Sequence, residues 1–190
     1  MSSSDDGTGY GQVAATARGW WRDLQPTDAK KGDRAALARL RRCSSPRDAM
    51  VEPATLALFR RLGMTSPKKL PKVAAIAMTI VHVREDDNPG DGNKRRHPIR
   101  RVGCPTMEGK DDAIMKPIRF RRLLACRDDD DQALDELARE MRRFVAIASK
   151  KLDVGELAAS LFYWSDQTRA RWAFEYFNAG EAAAIAEASA

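Results

Sequence analysis

The sequence predicts an all-α fold, a two-lobed helical bundle of about seven to nine helices with one long basic loop. Three observations predict it. Apolar residues recur at intervals of three and four, as in Leu134, Leu137, Met141, Phe144, Val145 and Ala148, the spacing that places them on one buried helical face. Helix-boundary residues punctuate the chain at Asp33, Ser45, Gly63, Asp153 and Ser165. No stretch sustains the alternation of period two that a half-buried strand needs, and connections are short except over residues 84–116.

Residues 1–11 are small, polar and Gly-rich and are expected to be disordered. A first helix follows from Gln12 to Leu24, with Val13, Ala17, Trp20, Trp21 and Leu24 on its inner face and the tryptophan pair read as core. Pro26 and Gly32 break the chain, and Asp33 caps a helix through Arg42 with Leu37 and Leu40 inward. That orientation leaves Arg34, Arg39, Arg41 and Arg42 largely exposed. Ser45-Pro46-Arg47-Asp48 reads as an N-cap, an N1 proline and an N3 acid. Another helix starts at Pro53 and ends at Leu62, with Gly63 at C′.

The apolar, Ala-rich run Lys72 to Val83 predicts a buried helix, with His82 packed at its end. Residues 84–116 carry Gly, Pro and charge without a lasting period and predict a long mobile loop, whose Lys94, Arg95, Arg96, Arg100 and Arg101 form a flexible cationic arm. Helix resumes at Pro117 with Phe120, Leu123 and Leu124 inward and Arg119, Arg121 and Arg122 around them. The tetrad Asp128 to Asp131 suits capping and the positive end of the next helix dipole better than a two-metal site, because contiguous carboxylates point in different directions.

Residues 142–177, RRFVAIASKKLDVGELAASLFYWSDQTRARWAFEYF, are the hub. Asp153 and Glu156 have capping-box spacing, and a second helix of the hub buries Leu157, Leu161 and Trp164. The third starts at Ser165, and its Trp172, Phe174, Tyr176 and Phe177 are expected to be buried, with Arg169 and Arg171 beside them. The tail from 179 to 190 is helix-prone, thinly apolar and expected to fray.

Composition narrows the function classes. The 190 residues hold 33 Lys and Arg against 27 Asp and Glu, a net +6 that suits an anionic partner. No run reaches the roughly 20 apolar residues of a membrane helix, and the N-terminus lacks the pattern of a secretory signal, so a cytoplasmic protein without membrane contact is expected. Cys43, Cys104 and Cys126 are far apart and form no CxxC pair, which supports neither disulfides nor zinc. The two histidines are isolated and no nucleophile–His–acid set exists, so no catalytic residue, metal ligand or cofactor is assigned. A non-enzymatic nucleic-acid-binding protein is favoured, with a free-standing helical binder or a metal-dependent nuclease as alternatives.

The order RRF, a basic turn, LDVGELAASLFYW and RARWAFEYF resembles the C-terminal signature of the CasB family, the small subunit of the type I-E CRISPR Cascade surveillance complex. The Trp20–Trp21 pair, GDRAALARLRRCSSP at 32–46 and RFRRLLAC at 119–126 agree with it in order. Gly155 departs from the pattern, which usually has Tyr there. The resemblance implies an all-helical two-lobed chain, with an N-terminal lobe at 12–83 and a C-terminal bundle at 117–178. It implies a ribonucleoprotein role in antiviral defence, with guide RNA, target DNA, backbone and large subunits and a second copy of the chain as partners. It further implies that Arg42, Arg143 and Arg169 lie against the strands of the R-loop. The other cations expected to meet nucleic acid are Arg41, Arg119, Arg122, Arg142, Lys150, Lys151 and Arg171, together with the loop residues from Lys94 to Arg101 named above.

Overall fold

A computed structural model of the chain describes residues 9–88, 97–104 and 113–179. Among these it is predominantly helical: α1 (Tyr10–Leu24), α2 (Arg34–Arg42), α3 (Pro46–Met50), α4 (Pro53–Arg61), α5 (Leu70–Ile80), α6 (Pro117–Ala125), α7 (Asp131–Ile147), α8 (Val154–Phe162) and α9 (Asp166–Phe177). Short 3-10 turns cover Pro67–Lys69 and Pro98–Arg101.

The boundary chemistry follows the side chains expected from the sequence. Asp33 accepts from the Ala36 N–H at 2.8 Å. Ser45 and Asp48 form a reciprocal capping box around Pro46. Gly63 has φ of 67°, and the Gly63 and Met64 N–H groups donate to the Arg60 and Phe59 carbonyls, the pair of hydrogen bonds of a Schellman stop. Asp130 caps α7 through the Ala133 N–H, Asp153 caps α8 through Glu156, and Ser165 caps α9 through Thr168.

Helix α5 is the centre of the packing. Val73 to Val81 are all buried, and the helix lies against α3, α4, α7 and α8. A helix apolar on every side can only be interior, as the Ala-rich run predicted. Helix α1 packs along α8, all nine of whose residues are buried, so segments before and after residues 84–116 share one core. Gly155 makes the α1–α8 approach possible: a Cβ there would sit 2.7 Å from the Ala14 carbonyl oxygen.

Several expectations need correction. Helix α1 begins at Tyr10, inside the segment expected to be disordered, because the Tyr10 hydroxyl donates to Glu156 Oε1 at 2.7 Å and lies 3.1 Å from Ser160 Oγ. Residues 1–8 lie outside the described residues, as does the tail from 180. Glu156 does not close a capping box, since the same Oε1 faces Tyr10 and Arg171 instead of returning to the Asp153 backbone. A parallel pair of strands, β1 (Glu85–Asp86) and β2 (Lys151–Leu152), was not anticipated; two residues are too few for a period of two to show.

Where it is described, the loop expected over 84–116 is ordered and contributes several residues to the core. Pro98, Ile99, Val102 and Cys104 are buried, the Cys104 N–H donates to the Tyr176 carbonyl at 2.8 Å, and the Met115 N–H donates to the Val102 carbonyl at 3.0 Å. Single apolar residues scattered among charges carry no periodic signal, although each fills a place beside α9. On α9 itself, Trp172 and Tyr176 lie one turn apart and face inward, whereas Phe174 falls on the opposite side and is 64% exposed. The expectation that all four aromatics are buried therefore fails at Phe174, and Phe177 is 37% exposed at the rim of Phe120.

Candidate nucleic-acid interface

Three of the sequence-nominated arginines meet in one place. Pro117 starts α6, and its Phe120 and Leu123 face inward, which leaves Arg119 and Arg122 on the solvent side. The buried stripe of α7, Leu137, Met141, Phe144 and Val145, likewise turns Arg143 outward. Between the two helices lies a cleft of about 390 Å³ lined by Met115, Arg119, Arg122, Glu140, Arg143 and Ile147. Its one carboxylate, Glu140, is buried; it pairs with Arg143 and lies 3.8 Å from Arg122. Three guanidinium groups against one carboxylate leave an excess of positive charge over a half-apolar floor. Such a groove suits a phosphate, which guanidinium binds bidentately.

Most of the other nominated cations are engaged by the fold. Arg142 donates to the carbonyls of Cys43 and Ser44 at 2.9 and 3.1 Å. Arg169, whose side chain is only 18% exposed, donates to the Cys126 carbonyl and pairs with Asp166. Arg171 pairs with Glu156 at 2.8 Å and sits over the Tyr10 ring. Arg41 donates to the Val81 carbonyl at 2.8 Å, and Lys151 pairs with Glu85. Arg42 is exposed on the last turn of α2. In the expected cationic arm, Arg100 pairs with Glu175 and Arg101 with Asp87, which corrects the expectation of a flexible segment for these two. Lys94, Arg95 and Arg96 lie outside the described residues.

A second set of cations acts on His82, two residues beyond the end of α5. Burial, followed by the charges of Arg142, Arg41 and Lys150, holds the imidazole down to about 4. Burial and the neighbouring Arg84 lower Arg41 as well, and burial with Arg139 lowers Arg142. Lys150 reaches this group through a strained turn: Ser149 and Lys150 have φ of 56° and 61°, a left-handed conformation that costs non-glycine residues about 1–2 kcal/mol each. Arg84 was missed by sequence reasoning. It follows a helix end by a few positions, and only the meeting of α2, α5 and the α7–β2 turn marks it out.

The acidic tetrad is spent on structure. Asp128 pairs with Lys72, Asp129 with Arg127 at 3.1 Å and Asp131 with Arg47 at 3.1 Å, while Asp130 caps α7. Among the described residues no three His, Cys, Asp or Glu side chains gather to hold a metal ion. The three cysteines are buried and unpaired, and burial pushes the Cys126 thiol up to about 11. No described helix is long and apolar enough to cross a membrane.

The fold is similar to that of a chain in the crystal structure of Escherichia coli Cascade bound to a PAM-containing double-stranded DNA target. The two are 19% identical, with a TM-score of 0.55 over 87% of this chain and 96% of that one. No curated protein matches the sequence. The family model for CRISPR-associated protein Cse2 matches residues 36–177, which take in most of α2 and all of α3 through α9. The chain belongs to the Cse2 family, which is the CasB family that its motifs resemble.

Proposed function

We propose that this protein is the non-enzymatic small subunit of a type I-E Cascade-like ribonucleoprotein, which holds nucleic-acid backbone to stabilise the guide RNA–target DNA R-loop and its displaced strand in antiviral defence. Membership of the Cse2 family and the likeness to a chain of DNA-bound E. coli Cascade support the reading. Guide RNA, target DNA, the backbone and large subunits and a second copy of the chain are the partners it requires. Base pairing reads sequence in such an assembly, so the protein needs only charge and shape.

The observation that carries the proposal is the convergence of Arg119, Arg122 and Arg143 on the α6–α7 cleft. Arg42, exposed on the last turn of α2, is a further candidate contact. Arg142, Arg169 and Arg171 act mainly by positioning helices, since each is tied to a backbone carbonyl or a buried carboxylate. The test is binding of mixed-sequence DNA by the purified chain and by R119Q/R122Q/R143Q across a salt series. Each phosphate contact contributes about 0.7–0.9 to the slope of log affinity against log salt, so three lost contacts lower it by roughly two units, equally for unrelated sequences. A variant with native helical circular dichroism and an unchanged slope contradicts the assignment.

A further inference from the structure

Glu140 opposes the charge of the cleft that it lines. A carboxylate beside an anion-binding groove repels the phosphate that the arginines attract, and burial strengthens that repulsion. Glu140 is nevertheless only 7% exposed. Its Oε1 accepts from Arg143 Nη1, one turn along α7, and lies 3.8 Å from Arg122 Nε on α6, so the same oxygen serves arginines of two helices. Each guanidinium gives the carboxylate one nitrogen. Among the described residues neither side chain has another partner, which leaves Nη1 and Nη2 of Arg122 and Nε and Nη2 of Arg143 unengaged at the cleft. Arg119 lines the same cleft and, among the described residues, has no carboxylate partner.

We propose that Glu140 is a positioning residue for the cleft, a buried anchor that holds Arg122 and Arg143 in place before nucleic acid arrives. The proposal rests on the nucleic-acid-binding reading of the cleft and adds no contact with phosphate. A free arginine gives up rotamer freedom when it binds an anion, whereas an arginine already anchored through one nitrogen has given it up on folding. The anchor has to be buried, because an exposed ion pair is screened by salt and exchanges its partner for water. Burial also keeps the three groups together, since a carboxylate left inside without its cations is costly. Both arginines therefore stay on Glu140 when phosphate enters, and each bridges the carboxylate to the ligand through the nitrogens it has left. Two guanidinium groups outweigh the one carboxylate that orders them, so the pre-ordering prevails over the repulsion.

The sign of one substitution separates positioning from simple charge. The full-length chain and E140Q are compared for binding of a mixed-sequence single-stranded DNA oligonucleotide across a salt series. If charge alone acted, loss of a carboxylate would tighten binding. Positioning predicts the opposite: E140Q, with native helical circular dichroism, binds about five- to tenfold more weakly. The slope of log affinity against log salt stays as in the wild type, because the arginines still reach the same phosphates. The loss persists when E140Q is added to R119Q and disappears when it is added to R122Q/R143Q, where nothing is left to position. A second measurement needs no variant at Glu140. Relaxation of arginine Nε–H resonances in the DNA-free wild-type chain, assigned with R119Q, R122Q and R143Q, shows Arg122 and Arg143 restricted and Arg119 mobile. Should E140Q lose its helical signal, this measurement decides alone.

The positioning role is overturned if E140Q binds as tightly as the wild type or more tightly, if its loss is equally large in the R122Q/R143Q background, or if Arg122 and Arg143 are as mobile as Arg119. The cleft reading stands in each of these cases so long as R119Q/R122Q/R143Q lowers the salt slope. If the wild-type chain does not bind DNA, or that triple variant binds with an unchanged slope, the cleft reading fails and the positioning role fails with it.

Discussion

Arg142 donates to the carbonyl oxygen of Cys43 at 2.9 Å and thereby ties α7 to the turn between α2 and α3. Its second bond, to Ser44 at 3.1 Å, uses the other arm of the same guanidinium. Hydrogen bonds from charged groups contribute about 1.5–3 kcal/mol, and the part-buried Cys43 carbonyl is left short of a donor when the side chain is removed. R142A is therefore expected to lose about 2 kcal/mol, a fall in Tm of roughly 4–8 °C for a chain of this size. R142K should recover little, since an ammonium cannot span two carbonyls as a fork does. Thermal melting followed by circular dichroism checks both.

Gly155 gives a prediction about packing rather than charge. A methyl group at this position would lie 2.7 Å from the Ala14 carbonyl oxygen and close to the Arg18 guanidinium, and neither helix can withdraw without opening the α1–α8 contact. G155A should cost about 1–3 kcal/mol, the range for overpacking a dense interior. The gain in helix propensity from Gly to Ala, about 1 kcal/mol, works in the other direction and sets the lower end. Denaturant unfolding measures the balance, and a stabilised variant contradicts the close approach.

Arg171 faces Glu156, a carboxylate with no exposed side-chain surface. Removing the arginine leaves that charge with the Tyr10 hydroxyl as its remaining described hydrogen-bond donor. Burying an unpaired charge is costly, but Arg171 is itself 45% exposed, so R171A is expected to lose about 1–3 kcal/mol rather than the full cost of a deeply buried pair. E156Q in the R171A background should recover part of the loss, because an amide needs no counter-ion. A double-mutant cycle on unfolding free energy gives the coupling.

Both histidines favour the neutral form in the folded chain. Burial, then the charges of Arg171 and Arg100, holds His97 down to about 3, and His82 is held to about 4. Between about pH 6.5 and about pH 4 the unfolded chain binds protons that the folded chain does not, so stability falls as pH falls, by up to roughly 1.4 kcal/mol per pH unit for each histidine. Asp23, Asp48 and Asp166 are lowered from an already low value and act below this window. Denaturant midpoints at about pH 7 and about pH 5 should differ accordingly, with a smaller difference in H97Q.

The fold was legible wherever local chemistry decides it. Caps at Asp33, Ser45, Asp130, Asp153 and Ser165, the Gly63 stop and the stripe of α7 can all be read because the residue that causes each feature lies within four positions of its effect. Residues 97–104 could not be read so, as their order comes from Tyr176 and Met115, far along the chain. The same distinction governs the candidate site. Exposure of Arg119, Arg122 and Arg143 follows from helical periodicity, but the engagement of Arg142, Arg169 and Arg171 depends on carbonyls and carboxylates that other elements bring to them. Periodicity tells which side of a helix a cation occupies and says nothing of what waits there.

The most direct test of the central claim is co-purification. The chain is co-expressed with the backbone and large subunits of its Cascade-type neighbours and a guide RNA, and a tag on a backbone subunit is used for capture. The account predicts that the chain elutes in the RNA-containing assembly and stays there through size-exclusion chromatography. A folded chain that elutes alone and free of RNA, while its neighbours assemble without it, contradicts the account.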